Sequence, residues 1–238
     1  MHEWLFVEMG GSSIQTVQRD SSGVFRFTPG LVRETNRPIA LACPGIVRDG
    51  EVLYATNLGW PDRADPKEEL GLQNICIVEN DAVAAGLGES VLRSKIGPEQ
   101  DLFYVSLGTG VGSVQVANGT ARYFDLGHHY VGGTAYCAGC RSVGCLNAYL
   151  CSSSLPTPLG EQDQIFVARM LAGAFQSLSL TDQVPLVLGG GIVRRYPGIG
   201  CLVNEQIANR VELTAAPLQA KSAAYAGLEY LSQIHRLN

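Results

Sequence analysis

Apolar positions along the chain repeat in two rhythms, one of strands and one of helices. Leu5–Val7 and Ile14–Gln18 flank a glycine turn in "LFVEMGGSSIQTV", and Gly23–Phe27 follows a polar turn. These runs predict paired strands. Pro38 precedes "IALACPGIV", an unbroken apolar run that predicts one buried strand, and "ICIVEN" predicts another. "DAVAAGLGESVLR" changes to helical spacing, with small residues on one face. Leu102–Leu107 and Gly112–Val116 predict a second hairpin, and a cysteine-rich loop follows. "QIFVARMLAGAFQSL" predicts a helix, "VPLVLGGGIV" a strand running into three glycines, and "AAPLQAKSAAYAGLEYLSQI" a terminal helix.

Each half therefore opens with a hairpin around a glycine-rich turn, which suggests an internal duplication. The expected lobes are residues 1–100 and 101–238, packed around a cleft. The terminal helix, at about 219–235, is expected to fold back onto the first lobe.

Composition narrows the function classes. The chain has 238 residues, 46% hydrophobic and 16% charged, with 28 Gly. That fits a glycine-rich α/β protein with a substantial core. The net charge is -5 without any Lys/Arg run, so nucleic acid is not an expected partner. No apolar run reaches membrane-spanning length. The start "MHEWLFVEMGG" goes straight into a strand, and a cytoplasmic location is expected. The seven cysteines are an odd number, which argues against a disulfide framework.

Three stretches carry candidate chemistry. Glycines let a backbone approach a ligand, and successive N–H groups form an anion-binding concavity. The turns at Gly10-Gly11-Ser12 and Gly108-Thr109-Gly110, with Gly189-Gly190-Gly191, could thus hold a polyphosphate; taken singly, each is also an ordinary turn. Asp81 stands where a strand hands over to a helix. It could take a proton from a substrate hydroxyl during phosphoryl transfer while Asn80 holds a neighbouring hydroxyl. Asp and Asn also suit a plain helix cap. Cys137, Cys140 and Cys145, with His128 or His129, make a one-imidazole, three-thiolate set of the kind that closes a structural zinc site. Scattered core thiols or a redox CxxC are the alternatives.

The order of these segments resembles the ROK family of sugar kinases and sugar-responsive repressors. Its pattern runs D-x-G-G-T, P-G, N-D, G-T-G, E-x-G-H, a Cys cluster ending G-C-L-E, and L-G-G-G. This chain shows Glu8-Met9-Gly10-Gly11-Ser12, Cys43-Pro44-Gly45, Asn80-Asp81, Gly108-Thr109-Gly110, Asp125-Leu126-Gly127-His128, Gly144-Cys145-Leu146-Asn147 and Leu188–Gly191. The resemblance implies an α/β, two-lobed actin-like ATPase (ribonuclease H-like) fold, each lobe a mixed sheet flanked by helices. It implies that Asp81 is the general base. Glu8, Gly10, Gly11 and Ser12 would face the phosphates of ATP and a magnesium ion. Gly108, Thr109 and Gly110 would bind phosphate, and Gly189–Gly191 would lie by the adenosine. Gly45, Asn80, Asp125, His128 and Asn147 would line the sugar pocket. His128 would also ligate zinc with Cys137, Cys140 and Cys145. A homodimer is implied as well.

The chain departs from this pattern in ways that bear on activity. Glu8 replaces Asp in the first loop. Asp125 replaces the Glu of E-x-G-H, Asn147 replaces the Glu of G-C-L-E, and the first cysteine pair is CxxC where the family has CxC. One shortened and one neutralised acceptor should weaken recognition of a standard hexose. The chain is also short for the family and shows no DNA-binding extension, which disfavours the repressor branch. The expected function is an ATP- and magnesium-dependent kinase acting on a hydroxyl of a sugar or polyol. The alternative is a catalytically impaired relative that binds a ligand or serves as a scaffold.

Overall fold

The computed structural model describes residues 4–10, 13–19, 25–33, 35–94, 101–178, 184–207, 211–213 and 222–235. β1 (Leu5–Gly10) and β2 (Ser13–Arg19) form the opening hairpin, which β3 (Phe25–Pro29) extends. β4 (Ile39–Cys43) runs parallel to β1. A small hairpin of β5 (Ile46–Arg48) and β6 (Glu51–Tyr54) follows, then a 3-10 turn at Thr56–Leu58 and the short helix α1 (Pro66–Leu70). β7 (Ile75–Asn80) adds parallel to β4 and passes directly into α2 (Asp81–Arg93). The resulting sheet has the order β3-β2-β1-β4-β7.

The second half repeats that plan. β8 (Leu102–Leu107) and β9 (Val111–Ala117) form a hairpin extended by β10 (Thr120–Tyr123). The cysteine-rich segment folds a miniature hairpin of β11 (Tyr136–Cys137) and β12 (Ser142–Val143), followed by α3 (Leu146–Leu150) and α4 (Glu161–Ser177). β13 (Leu186–Gly189) pairs parallel with β8. Then come α5 (Gly190–Arg195), α6 (Gly198–Asn204), β14 (Val211–Leu213) parallel to β13, and α7 (Ser222–His235). The second sheet reads β10-β9-β8-β13-β14, three antiparallel strands and then two parallel ones, as in the first. The duplication suggested by the glycine turns therefore extends to the topology of both sheets.

Side-chain alternation builds the layers. Leu5, Val7, Met9, Ile39, Leu41 and Cys43 face the outer core of the first sheet, while Trp4, Phe6, Ala40 and Ala42 face the centre. In the second sheet Phe103, Val105, Leu107, Leu186 and Leu188 face α4 and α6, while Leu102, Tyr104 and Val187 face the centre. The central layer is α2 crossed by α7, with α7 also lying on β1, β4 and β7. Small residues make that crossing possible. A Cβ on Gly88 would lie 1.6 Å from the Ala223 carbonyl oxygen, and one on Gly227 would lie 1.9 Å from that of Ala84.

Two elements differ from the sequence reading. "IALACPGIV" is two strands in two sheets, β4 and β5, because the chain turns at Pro44-Gly45. Gly45 has φ +114°, and a Cβ there would sit 2.1 Å from the Tyr54 carbonyl oxygen. Of the run Gly189–Gly191, the first glycine ends β13 and the other two open α5. Among the described residues, no helix is long and apolar enough to cross a membrane.

Candidate functional site

The start of α2 divides two roles between adjacent residues. Asn80 is the N-cap: its Oδ1 accepts from the backbone N–H of Ala82 at 2.9 Å and of Val83 at 3.0 Å. Its Nδ2 donates to the Gly45 carbonyl at 2.7 Å, so the strained glycine after β4 braces the cap. Asn80 is 4% exposed. Asp81, the first helical residue, is half-buried and shares the Ala82 N–H at 2.9 Å. Asn80 alone reaches the Val83 N–H, while both residues share the Ala82 N–H.

α2, which Asp81 opens, lies between the sheets, packed on β8, β9 and β10 of one and on β1, β4 and β7 of the other. Burial, then Asp81 and Glu79, push the Cys43 thiol at the end of β4 up to about 12. On the second sheet, burial, then the carboxylates of Glu89, Glu8 and Asp81, push up the Tyr104 phenol. Partial burial, then Asp125 and Asp81, push Tyr123 up to about 12. The charge of Asp81 is thus felt by β4 in one lobe and by β8 and β10 in the other. Glu79, just before it, accepts the Asn80 N–H at 2.7 Å, and burial holds its carboxyl above the ordinary value.

The first glycine turn closes with Gly10 paired to Ser13; Gly11 and Ser12 lie outside the described residues. Glu8 shares the central face of β1 with Phe6. Its carboxylate adds to burial in pushing up the Tyr225 phenol of α7 and, as noted, bears on Tyr104. Glu8 and Asp81 therefore act on one common neighbour.

The second turn and the third glycine run meet because β13 pairs with β8, setting Gly189 opposite Ser106. Gly189 is pressed on Tyr104, whose hydroxyl oxygen would be 2.4 Å from a Cβ there. Gly190, at φ +89°, is pressed on Leu107. Gly108 and Gly191 face the other way: a Cβ on either would meet nothing within 4 Å. Thr109 is exposed. At Gly108 and Gly191 the glycine backbone is open. The sequence did not single out Tyr104 or Tyr123, the two tyrosines on which the Asp81 charge bears. The inward alternation of β8 was the one signal that could have singled out Tyr104.

Asp125 is exposed, and its Oδ1 accepts from the His128 N–H at 3.3 Å and the Tyr123 hydroxyl at 3.5 Å. His128 turns Nδ1 toward the cysteines, 3.8 Å from both Cys137 Sγ and Cys145 Sγ, while His129 bonds Ser177 at 2.8 Å. Cys140 Sγ lies 3.8 Å from Cys145 Sγ, and all seven cysteines are free thiols. The four ligand atoms lie within 4.8 Å of one another. A tetrahedral zinc with Zn–S bonds of about 2.3 Å has edges of about 3.8 Å between thiolates, so the donor set fits that ion. At Cys137, burial pushes the thiol up, but hydrogen bonds from the Cys140 N–H, the Asn147 amide, Cys145 and the Gly139 N–H outweigh it and hold it at about 6. Asn147 bonds inward: its Oδ1 accepts the Val111 N–H at 2.9 Å, and its Nδ2 donates to Cys137 Sγ at 3.4 Å.

Two sheets of one strand order, joined through a crossed helix pair with glycine turns at corresponding ends, define the two-lobed actin-like ATPase fold. The model of the ROK family matches residues 26–177, and the chain belongs to that family. It is 36% identical over 121 residues to a glucokinase of Halalkalibacterium halodurans, covering 45% of this chain and 36% of that protein. It is 35% identical over 102 residues to a polyphosphate glucokinase of Mycobacterium tuberculosis, covering 40% and 38%. The chain thus matches little more than a third of the length of these relatives. Among solved structures, it resembles a ROK family glucokinase from Streptomyces griseus in complex with glucose and AMPPNP. The TM-score is 0.76 at 19% identity, covering 96% of this chain and 98% of the other. It also resembles a ROK hexokinase from Thermus thermophilus, with a TM-score of 0.68 at 21% identity over 98% and 99% of the two chains.

Proposed function

We propose that this protein is a kinase that transfers a phosphoryl group from ATP to a hydroxyl of a sugar or sugar-like polyol. The observation that carries this reading is the position of Asp81, the first residue of α2 where β7 passes into the helix, on a helix packed against both sheets. The lobes of the proposed enzyme are residues 1–100 and 101–238, with the acceptor held between them. Asp81 accepts the proton of the acceptor hydroxyl. Gly45 fixes Asn80, whose remaining amide N–H is the part that can reach a sugar hydroxyl. Asp125 supplies a second acceptor, and His128 stands beside it.

The glycine backbone at Gly108–Gly110 and Gly189–Gly191 would receive the nucleotide, with Gly10–Ser12 and Glu8 on the side of the phosphates and magnesium. Bound there, the metal-nucleotide pair supplies the phosphoryl group and neutralises its charge. His128, Cys137, Cys140 and Cys145 would hold a structural zinc. The similarity to glucokinases supports a hexose-like acceptor.

Asp81→Asn is the test. Turnover should fall about 10³-fold or more in a coupled ADP assay across a sugar panel, with AMPPNP affinity unchanged. Turnover within tenfold of wild type in that variant would remove Asp81 from the role of base. The second reading, a catalytically impaired binding protein, is favoured by one observation: the Asn147 amide is engaged with Val111 and Cys137. Under it, calorimetry would show sugar binding but no nucleotide binding. An assay with polyphosphate in place of ATP separates the donors, as a polyphosphate glucokinase is among the relatives.

A further inference from the structure

Asn147 sits where four parts of the second lobe meet. Its backbone N–H donates to Gly127 in the Asp125–His128 segment at 2.7 Å, and its carbonyl accepts from Cys151 at 3.2 Å. Its side chain spans the remaining two: Oδ1 takes the Val111 N–H at the exit of the second glycine turn, and Nδ2 gives a hydrogen to Cys137 Sγ. The orientation of the amide is set by chemistry. A backbone N–H can only donate, so the oxygen must face Val111 and the nitrogen must face the sulfur. Gly110 permits the approach, as a Cβ there would lie 3.1 Å from Oδ1.

Only a side chain that donates at one end and accepts at the other can make this bridge. A carboxylate is an acceptor at both ends and would set negative charge against the sulfur. We infer that Asn147 is a positioning residue that couples the metal-ligand cluster to the second glycine turn. It orients the Cys137 thiolate toward a bound metal and holds the Val111 N–H in the line of the turn. Occupancy of the cluster and readiness of the turn to receive an anion are thereby linked. A conserved link of this kind between ligand and second partner tunes metal affinity by ~10- to 100-fold in other proteins.

The test compares wild type, Asn147→Asp and Asn147→Ala, each purified with zinc, with folding checked by circular dichroism. In chelator competition, Asn147→Asp should hold zinc ~10- to 100-fold more weakly than wild type, because its carboxylate keeps the Val111 acceptor but repels the thiolate. Hydrogen exchange is then followed on peptides spanning residues 108–116. Removing zinc should speed exchange at Val111 in wild type. In Asn147→Ala, exchange should already be fast with zinc bound, and removal should add nothing. Asn147→Asp retaining zinc like wild type would overturn the inference, as would zinc removal changing Val111 exchange equally in wild type and Asn147→Ala. Should Asn147→Ala not fold, zinc retention by Asn147→Asp decides alone. A third arm, AMPPNP binding with and without zinc, rests on the kinase reading. Absence of nucleotide binding would defeat that reading and leave the zinc and exchange arms to decide the role of Asn147.

Discussion

The two halves of the molecule share a strand order and differ in what is inserted into it. In the first, β5, β6 and α1 interrupt the step from β4 to β7, and that interruption forces the turn at Gly45 whose carbonyl steadies Asn80. In the second, the cysteine hairpin, α3 and α4 interrupt the step from β10 to β13, and that interruption brings Asn147 against Val111. Each half thus steadies a site element with a hydrogen bond from its own insertion. In the first half a carbonyl accepts from a capping amide; in the second an amide accepts from a turn. The repeated sheets provide the frame. The unlike insertions allow one frame to brace a helix start on one side and a glycine turn on the other.

Asp81→Asn would sharpen this comparison most. It should cost about 10³-fold or more in turnover while leaving the second half's nucleotide affinity unaltered. A parallel loss of AMPPNP affinity would show that the two halves do not divide the work in this way.

The next largest effect tests the seam between the halves. Gly88→Ala and Gly227→Ala place a methyl group on opposing backbone at the α2–α7 crossing and should each cost roughly 3 kcal/mol or more. Gly173→Ala in α4, where a Cβ meets nothing within 4 Å, should instead gain up to about 1 kcal/mol. Urea denaturation checks both signs. Equal effects at Gly88 and Gly173 would mean the helices do not cross closely.

Glu79→Gln probes the first brace more gently. Burial raises the folded-state pKa of Glu79, so above its unfolded value the ionised carboxylate subtracts stability. That penalty fades as pH falls through the raised value and the folded protein takes up the proton. Glutamine keeps an acceptor for the Asn80 N–H. Tm at pH 7 should rise by on the order of 2 °C, with the gain shrinking toward pH 4. A gain that grows on acidification would refute the burial argument. The smallest effect is chemical. Burial pushes the Cys43 thiol up to about 12, so its reactive thiolate is scarce at pH 8. Brief alkylation should label the exposed Cys76 and Cys201 and spare Cys43, as read by mass spectrometry.

Much of the frame was legible in the chain. Both hairpins, the strand Ile75–Asn80 and the helix Asp81–Arg93 follow from period-two and helical spacing, because burying one face of a regular element demands it. The break at Gly45 was not legible: "IALACPGIV" is apolar throughout, and only the approach of Tyr54 makes a left-handed glycine necessary. For the cysteines, spacing offered His128 or His129 as the fourth ligand; the fold turned the first inward and gave the second to Ser177. Asn147 read as a pocket residue; that its amide also joins positions 111 and 137, 36 and 10 residues away, was not legible.

Sequence alone determined which segments are strands and helices, that the plan occurs twice, and which residue types are available for chemistry. Those properties rest on local periodicity and on the identity of each side chain. Tertiary structure decided which of two adjacent polar residues reaches back to Gly45 while capping α2, which histidine meets the thiols, and what Asn147 joins. Each of those outcomes depends on a donor or acceptor brought from a distant part of the chain, and no local pattern records the direction in which such a partner arrives.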